Sequence, residues 1–271
     1  VTVSQRWQGG RTSYKPPGPP FVPAIHEVAF IDRTAARRFT LEHHYADTVP
    51  AWVYSVGLWR RGALVGVAMF SQPAAQAVLD ILPDGRESGT ELGRLVLTPE
   101  VETNGETWFI KRAFALAHRH GYEHVMSYAD PLERTTSDGT LVKPGHVGLI
   151  YQAHNGIYTG RGRGRPLWLL PSGQVLNERS ISKSKAGHRG ASTAIGKLVQ
   201  FGAPRPGDGD DVAAWVAEWV PRLCRRVSHP GNYRYVWPLG GDSRARRALV
   251  RHLAERGIPD NLERPRAVEA A

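Results

Sequence analysis

Hydrophobic and polar positions along the chain follow two periods, and the switches between them mark out its elements. Residues 52–59 and 63–70 are apolar runs parted by Arg60-Arg61-Gly62, which predicts an antiparallel hairpin with a charged tip. Shorter strands are predicted at 25–31, 91–97, 123–128 and 232–239. Phe109, Ile110, Ala113, Phe114 and Ala117 fall at helical spacing within 106–120, and Gly121 closes that helix. Further helices are expected at 34–44 with Thr34 as N-cap, and at 148–154, 192–201, 210–226 and 243–256. Residues 167–170 and 174–181 read as a second hairpin around Pro171-Ser172-Gly173. The first 24 residues, with Lys15-Pro16-Pro17-Gly18-Pro19-Pro20 and Pro23, fit neither period and read as an arm without regular structure.

An early hairpin followed by strand, helix, strand, helix and strand predicts an α+β fold with one central sheet. The order is similar to the plan of the acyl-CoA N-acetyltransferases (GNAT). A GNAT-like mixed, mostly antiparallel sheet flanked by helices is therefore expected. In that plan the strand after the cleft helix pairs with the last strand, whereas here a basic insertion precedes the last strand. The expected organisation is a proline-rich arm (1–24), a GNAT-like core (25–181), a basic helical insertion (182–230), a final core strand (231–241) and a C-terminal helix and tail (242–271).

Charge sharpens this picture. The 271 residues carry 35 Lys and Arg against 25 Asp and Glu, a net charge of +10, which favours a polyanionic partner because each neutralised phosphate releases a counterion. Eight basic residues and one acid, Glu178, lie between Arg161 and Lys197. A single cysteine, Cys224, excludes an internal disulfide framework and a cysteine-rich zinc site, and fits a reducing cytoplasm. No apolar run approaches the roughly 20 residues of a membrane span, and the first residues lack the apolar centre of a secretory signal.

Several short motifs offer chemistry. His43-His44-Tyr45 ends the first helix, where His44 could be a base, a metal ligand, a stacking group, or simply a partner for the last carbonyls. Ser127-Tyr128-Ala129-Asp130-Pro131 ends a strand. Asp130 there could deprotonate an amine, orient His146 of Gly145-His146-Val147-Gly148, share a metal with His44, or form an ordinary Asp-Pro turn. Asn104-Gly105 opens a helix whose free N–H groups could grip an anion or merely be capped. Tyr151 and Tyr158 are either site tyrosines or core aromatics. Arg161-Gly162-Arg163-Gly164-Arg165, then Lys183, Lys185, Arg189 and Lys197, suit phosphate contact, the alternative being a solvated face. Trp108, Trp168, Trp237 and Phe201 could stack on a base.

Taken in order, His43-His44-Tyr45, Glu91-Leu92-Gly93-Arg94-Leu95, Asn104, Ser127-Tyr128-Ala129-Asp130-Pro131, Gly145-His146-Val147-Gly148, Ile150-Tyr151-Gln152-Ala153 and Tyr158-Thr159-Gly160 resemble the Mom-type proteins of phages and prophages. The resemblance runs from about residue 25 to 240. It implies a GNAT-like fold in a phage- or prophage-encoded protein of the bacterial cytoplasm. Such a protein converts the exocyclic amine of adenine in double-stranded DNA to a carbamoylmethylated form that resists restriction. By the same resemblance His44, Tyr45, Asp130, His146 and Tyr151 carry the chemistry, with Tyr151 as acid. Arg94, Asn104, Gly105 and Ser127 hold the donor, either acetyl-CoA or another acyl-type compound. Tyr158, Arg161, Arg163, Arg165, Lys183, Lys185, Arg189 and Lys197 contact DNA. Iron, associated with these proteins, would fall to His44 and Asp130. Two other readings stay open: a GNAT-like enzyme for another amine (a modified pyrimidine, a small molecule or a protein), and a non-catalytic DNA-binding module. Oligomeric state is not legible.

Overall fold

A computed structural model describes residues 4–8, 11–15, 18–44, 48–73, 75–143, 145–188 and 192–266. In chain order its elements begin with the strands β1 (Ser4–Gln8), β2 (Arg11–Lys15) and β3 (His26–Ile31), the helix α1 (Arg33–His43), and the strands β4 (Trp52–Arg60) and β5 (Ala63–Ser71). There follow α2 (Gly85–Ser88), β6 (Gly89–Leu97), α3 (Gly105–Arg119), β7 (His124–Ala129), β8 (Arg134–Thr135), β9 (Leu141–Lys143), α4 (Leu149–Ala153) and β10 (Ile157–Arg161). The remainder is β11 (Arg165–Leu169), β12 (Val175–Leu176), α5 (Glu178–Lys185), α6 (Ser192–Gln200), α7 (Val212–Leu223), β13 (Arg225–His229), β14 (Tyr233–Pro238) and α8 (Ser243–Glu255).

The chain divides into two units, the first formed by Val1–Pro131, His146–Gly162 and Asn232–Ala271. Its seven-stranded sheet has the order β10-β14-β7-β6-β5-β4-β3, antiparallel throughout except between β6 and β7. The expected α+β class and mostly antiparallel sheet are observed. Arg61 and Gly62, at φ 48° and 82°, make the tight turn between β4 and β5, because a two-residue hairpin that follows strand twist needs two left-handed residues. Asp32 rather than Thr34 caps α1, since its carboxylate accepts the Ala35 N–H at 2.9 Å. One sheet face packs Tyr54, Phe70, Leu92 and Tyr235 with Phe109, Ala113 and Phe114 of α3. Burying each large apolar side chain contributes about 1.5–3 kcal/mol. The other face packs Val67, Met69 and Val96 with Ala36 and Phe39 of α1, and Met126 and Val236 with Leu249 and Leu253 of α8.

The second unit holds Leu132–Gly145 and Arg163–Gly231. It contains the three-stranded sheet β12-β11-β13, the hairpin β8-β9, and a core in which Ile181, Leu198, Trp215, Val216 and Val220 bring α5, α6 and α7 together. Burial pushes the Cys224 thiol of that core up to about 11.

Four expectations change. The strand predicted at 174–181 is only Val175–Leu176, because Asn177 accepts the Arg179 N–H and starts α5 instead. The helix predicted to 226 stops at Leu223, with Pro221 in its last turn, and Arg225–His229 pairs with β11. That pairing moves Arg163–Ile181 out of the expected 25–181 core and into the second unit, along with Leu132–Gly145. Finally, the expected arm contains the hairpin β1-β2, whose strands end before the prolines begin at Pro16.

Candidate functional site

The parallel pairing of β6 with β7 runs from Gly89 opposite His124 to Glu91 opposite Met126 and ends there. The next tie is a side chain: Ser127 Oγ donates to the Leu92 carbonyl at 2.9 Å. Beyond it the paired register does not continue, so the C-terminal half of β6 diverges from the end of β7. A bulge lies at the same place. Met69 faces Arg94 and Phe70 faces Leu92, leaving Gly93 as the extra residue. A Cβ there would stand 2.4 Å from Ser71 Oγ and 3.2 Å from Pro50 Cγ, so any larger residue would have to turn the Ser71 hydroxyl aside.

On the α3 and α4 face of this gap the hydroxyls form a chain. Ser127, fully buried, lies 2.9 Å from the Tyr151 hydroxyl. A serine has one proton, already given to Leu92, so the Tyr151 hydroxyl donates to Ser127 Oγ. Tyr151 is placed by the start of α4. Its N-cap Gly148 is left-handed (φ 78°), and a Cβ there would meet Tyr235 at 2.8 Å and Tyr151 at 2.9 Å. Tyr235 donates to the Val147 carbonyl at 2.6 Å, while Gln152 Nε2 donates to the Tyr235 hydroxyl at 3.0 Å. Burial pushes Tyr235 up to about 12, partly offset by the Gln152 hydrogen bond. The Tyr158 ring lies 5.5 Å from Tyr235 and 6.0 Å from Tyr233.

At the end of β7 two hydrogen bonds join the Asp130 main chain to His146, one through its main chain and one through its ring. The His146 N–H donates to the Asp130 carbonyl at 3.0 Å, and the Asp130 N–H donates to His146 Nε2 at 3.4 Å. In this arrangement Nε2 is an acceptor, so a ring proton belongs on Nδ1. Asp130 lies three residues beyond Ser127, about 10 Å along an extended strand. Ser127 and Tyr151 therefore form one pair, which the sequence does not announce, and Asp130 and His146 another, which it offers as one alternative.

The opposite face of the gap carries residues to which the sequence alone assigned no role. Burial raises the Glu91 carboxyl above the usual carboxylate range, and the positive charge of Arg94 offsets part of this. Tyr128 is pushed up to about 12, by burial first and by the charge of Glu91 second. Arg234, opposite Tyr128 in register, donates from Nε to Thr159 Oγ1 at 2.7 Å and from a terminal nitrogen to the Thr159 carbonyl at 3.1 Å. Glu91 and Tyr128 stand in motifs visible in the sequence and Arg234 in a predicted strand, and strand alternation was the signal that set them on this face. Arg94 donates to the Gly93 carbonyl at 2.7 Å and to the Thr48 carbonyl at 3.2 Å.

The start of α3 lies elsewhere. Asn104 is exposed and left-handed, and its carbonyl accepts from the Thr107 hydroxyl and the Trp108 N–H. The Gly18 N–H donates to Thr103 Oγ1 at 3.0 Å, and Phe21 would stand 3.2 Å from a Cβ on Gly105. Glu102 and Glu106 are buried in the same turn. Burial alone would raise Glu102, but a main-chain N–H, the Arg60 guanidinium and His26 outweigh it and hold the carboxyl below its usual range. A diphosphate brought here would meet two buried carboxylates and the Gly18–Phe21 segment. The described residues at the start of α3 thus do not suit a cofactor diphosphate.

His44 is half-buried and closes α1 through its N–H to the Thr40 carbonyl, while Tyr45 lies outside the described residues. Among the described residues no group of three or more His, Cys, Asp or Glu could hold a metal ion, so the expected iron site on His44 and Asp130 has no support here. Arg161, at the end of β10, is exposed. In the second unit Arg163, Arg165 and Lys185 are exposed, Lys183 and Lys197 are half-buried, and Arg189 lies outside the described residues. Among the described residues no helix is long and apolar enough to cross a membrane.

The model of the Mom protein family matches residues 26–201. No curated protein is detectably similar in sequence. Similar solved structures include a tandem GNAT protein from the clavulanic acid biosynthesis pathway, 11% identical over 72% of this chain and 86% of that one (TM-score 0.37). The IAA acetyltransferase of Bacillus cereus is 10% identical over 79% and 99% (TM-score 0.36). The ribosomal-protein-S18-alanine N-acetyltransferase of Escherichia coli is 8% identical over 55% and 88% (TM-score 0.34). Likenesses of this size decide nothing about chemistry.

Proposed function

Because this chain belongs to the Mom protein family, we propose that it is a group transferase that attaches a carbamoylmethyl or related acyl-type group to the exocyclic amine of adenine in double-stranded DNA. The modification would shield phage DNA from restriction inside a bacterial cell. The observation that carries the reading is the β6–β7 gap, with the Ser127–Tyr151 hydroxyl pair on one side and the Asp130–His146 junction at its end.

The chemistry asks for two proton movements. The adenine amine forms a bond to the donor carbon and gives up one proton, while the leaving group departs with the electron pair of its bond to that carbon. Asp130 is the acceptor for the amine proton, and Tyr151 supplies a proton to the leaving group. His146, with Nε2 engaged by the Asp130 N–H, orients the junction rather than serving as base. Ser127 holds the Tyr151 proton in place until a stronger base arrives. Reaching an amine inside a duplex requires the base to leave the stack, at a cost of a few kcal/mol. The net charge of +10 supports the phosphate contacts that would hold such a duplex, through Arg161, Arg163, Arg165, Lys183, Lys185, Lys197 and Arg189, with Tyr158 at the substrate.

The test is a mass analysis of nucleosides from DNA of cells making the chain, its Tyr151→Phe variant or its Asp130→Asn variant. A modified deoxyadenosine is expected with the parent chain and about 100-fold less with either variant. Unmodified deoxyadenosine from cells rich in folded protein rejects the reading. Salt-steep DNA binding without any modified nucleoside would favour the non-catalytic module instead.

A further inference from the structure

Buried polar groups in folded proteins are paired, so a cluster of unpaired ones marks a place where a partner belongs. Such a cluster lies at one end of β4 and β5. Trp52 Nε1, Ser55 Oγ and Ser71 Oγ are buried and have no hydrogen-bond partner among the described residues. Both serines are only 2% exposed. The register sets these residues on one face: Trp52 opposite Ser71, Ser71 opposite Glu91, Ser55 opposite Met69, and Met69 opposite Arg94. This is the α1 face of the sheet, beside the point where β6 and β7 part.

The surroundings hold these groups rigidly without satisfying them. The Thr90 hydroxyl donates to the Ser71 carbonyl at 3.1 Å, which leaves the Ser71 hydroxyl unengaged. The Arg33 guanidinium lies 4.3 Å over the Trp52 ring and donates to the Trp52 carbonyl at 3.1 Å, which leaves the indole N–H unengaged. Glycine at the Gly93 bulge keeps a methyl group from sitting 2.4 Å from Ser71 Oγ. Three fixed positions therefore present one donor and two hydroxyls that can donate or accept, with the Glu91 carboxyl next in register.

We propose that Trp52, Ser55 and Ser71, with Glu91 at their side, form the seat of the acceptor base, an adenine taken out of the duplex. An adenine edge offers a ring nitrogen that accepts beside an amine that donates. The indole N–H can only donate and so meets the ring nitrogen, while a serine oxygen or the Glu91 carboxyl accepts from the amine. This inference rests on the adenine-transferase reading and names the place where that reading's acceptor binds.

The probe is 2′-deoxyadenosine added to the ¹⁵N-labelled full chain, with 2′-deoxycytidine as control. The indole N–H signal of Trp52, assigned by its loss in Trp52→Phe, is expected to move with the purine and not with the pyrimidine. The Ser55→Ala/Ser71→Ala double variant should bind deoxyadenosine about tenfold more weakly, as a site built to hydrogen-bond its ligand does when its partners are removed. The single Ser71→Ala variant repeats the measurement should the double variant fail to fold. A Trp52 signal that stays still, or serine variants that bind deoxyadenosine as tightly as the parent, would overturn the seat and assign these atoms to buried water. Modified DNA with a motionless Trp52 signal leaves the transferase and removes the seat. A Trp52 shift with no modified DNA keeps the seat and removes the transferase.

Discussion

The two faces of the sheet, where β6 and β7 part, differ in how their polar groups are paired. On the α3 and α4 face one chain of groups is answered: Tyr151 gives to Ser127, Ser127 to Leu92, Gln152 to Tyr235 and Tyr235 to Val147, while the buried Tyr54 hydroxyl of the same face has no partner among the described residues. On the α1 and α8 face a carboxyl and a phenol are buried with their ionised forms disfavoured, and two serines and an indole go unanswered. A satisfied network fixes geometry, as a proton donor requires. An unsatisfied one is a cost that folding tolerates where a ligand supplies the missing partners. On the proposed function, the answered chain from Tyr151 to Leu92 suits positioning and the cluster of Trp52, Ser55 and Ser71 suits recognition.

The sharpest way to break the satisfied face is Gly148→Ala. An L residue at φ 78° costs about 1–2 kcal/mol, and the added methyl, 2.8 Å from Tyr235 and 2.9 Å from Tyr151, costs about as much again by overpacking. A loss of about 3 kcal/mol is expected in denaturant unfolding, together with loss of the proposed DNA modification because Tyr151 is displaced. Tyr235→Phe should do less. It removes the donor to Val147 and one acceptor for Gln152, which keeps the Pro265 carbonyl at 3.0 Å, so a loss of about 1 kcal/mol is expected. A melting temperature equal to that of the parent would show that the hydroxyl chain does not hold α4.

Much of this plan can be read along the chain, and the unreadable parts share a cause. The β4–β5 hairpin and α3 are legible because branched and aromatic residues flank a turn that needs left-handed backbone, and because the α3 apolar stripe keeps one period. The strand Arg225–His229 is not, since it is fixed by pairing with Arg165–Leu169, far away in sequence, and its own residues read as a helix end. The same holds at the site. Asp130 and His146 sit in short motifs and meet as their sequence suggests, whereas Ser127 and Tyr151 sit in such motifs but their meeting needs the fold. Glu91 and Tyr128 sit in such motifs too and Arg234 in the last predicted strand, but alternation turns them to the other face, where no local pattern announces a role. The unanswered atoms of Trp52, Ser55 and Ser71 become visible only when every buried donor and acceptor is followed to its partner.

The smallest expected effect tests the recognition face by charge. Burial raises the Glu91 carboxyl above its unfolded value, about 4.3, with Arg94 opposing, so the folded chain holds that proton more tightly than the unfolded one. Stability from this group is fully present below the unfolded value and is lost as pH rises through the folded one. Glu91→Gln, which cannot ionise, lacks this dependence. The difference in melting temperature between parent and variant should therefore shift against the parent as pH rises from about 4 to about 7, by a few degrees at most. The opposite trend would mean that Arg94 outweighs burial, making Glu91 half of an ion pair instead of a carboxyl kept ready for a donor. Such a result would move the face from recognition to structure and leave the serines and the indole as its only evidence for a ligand.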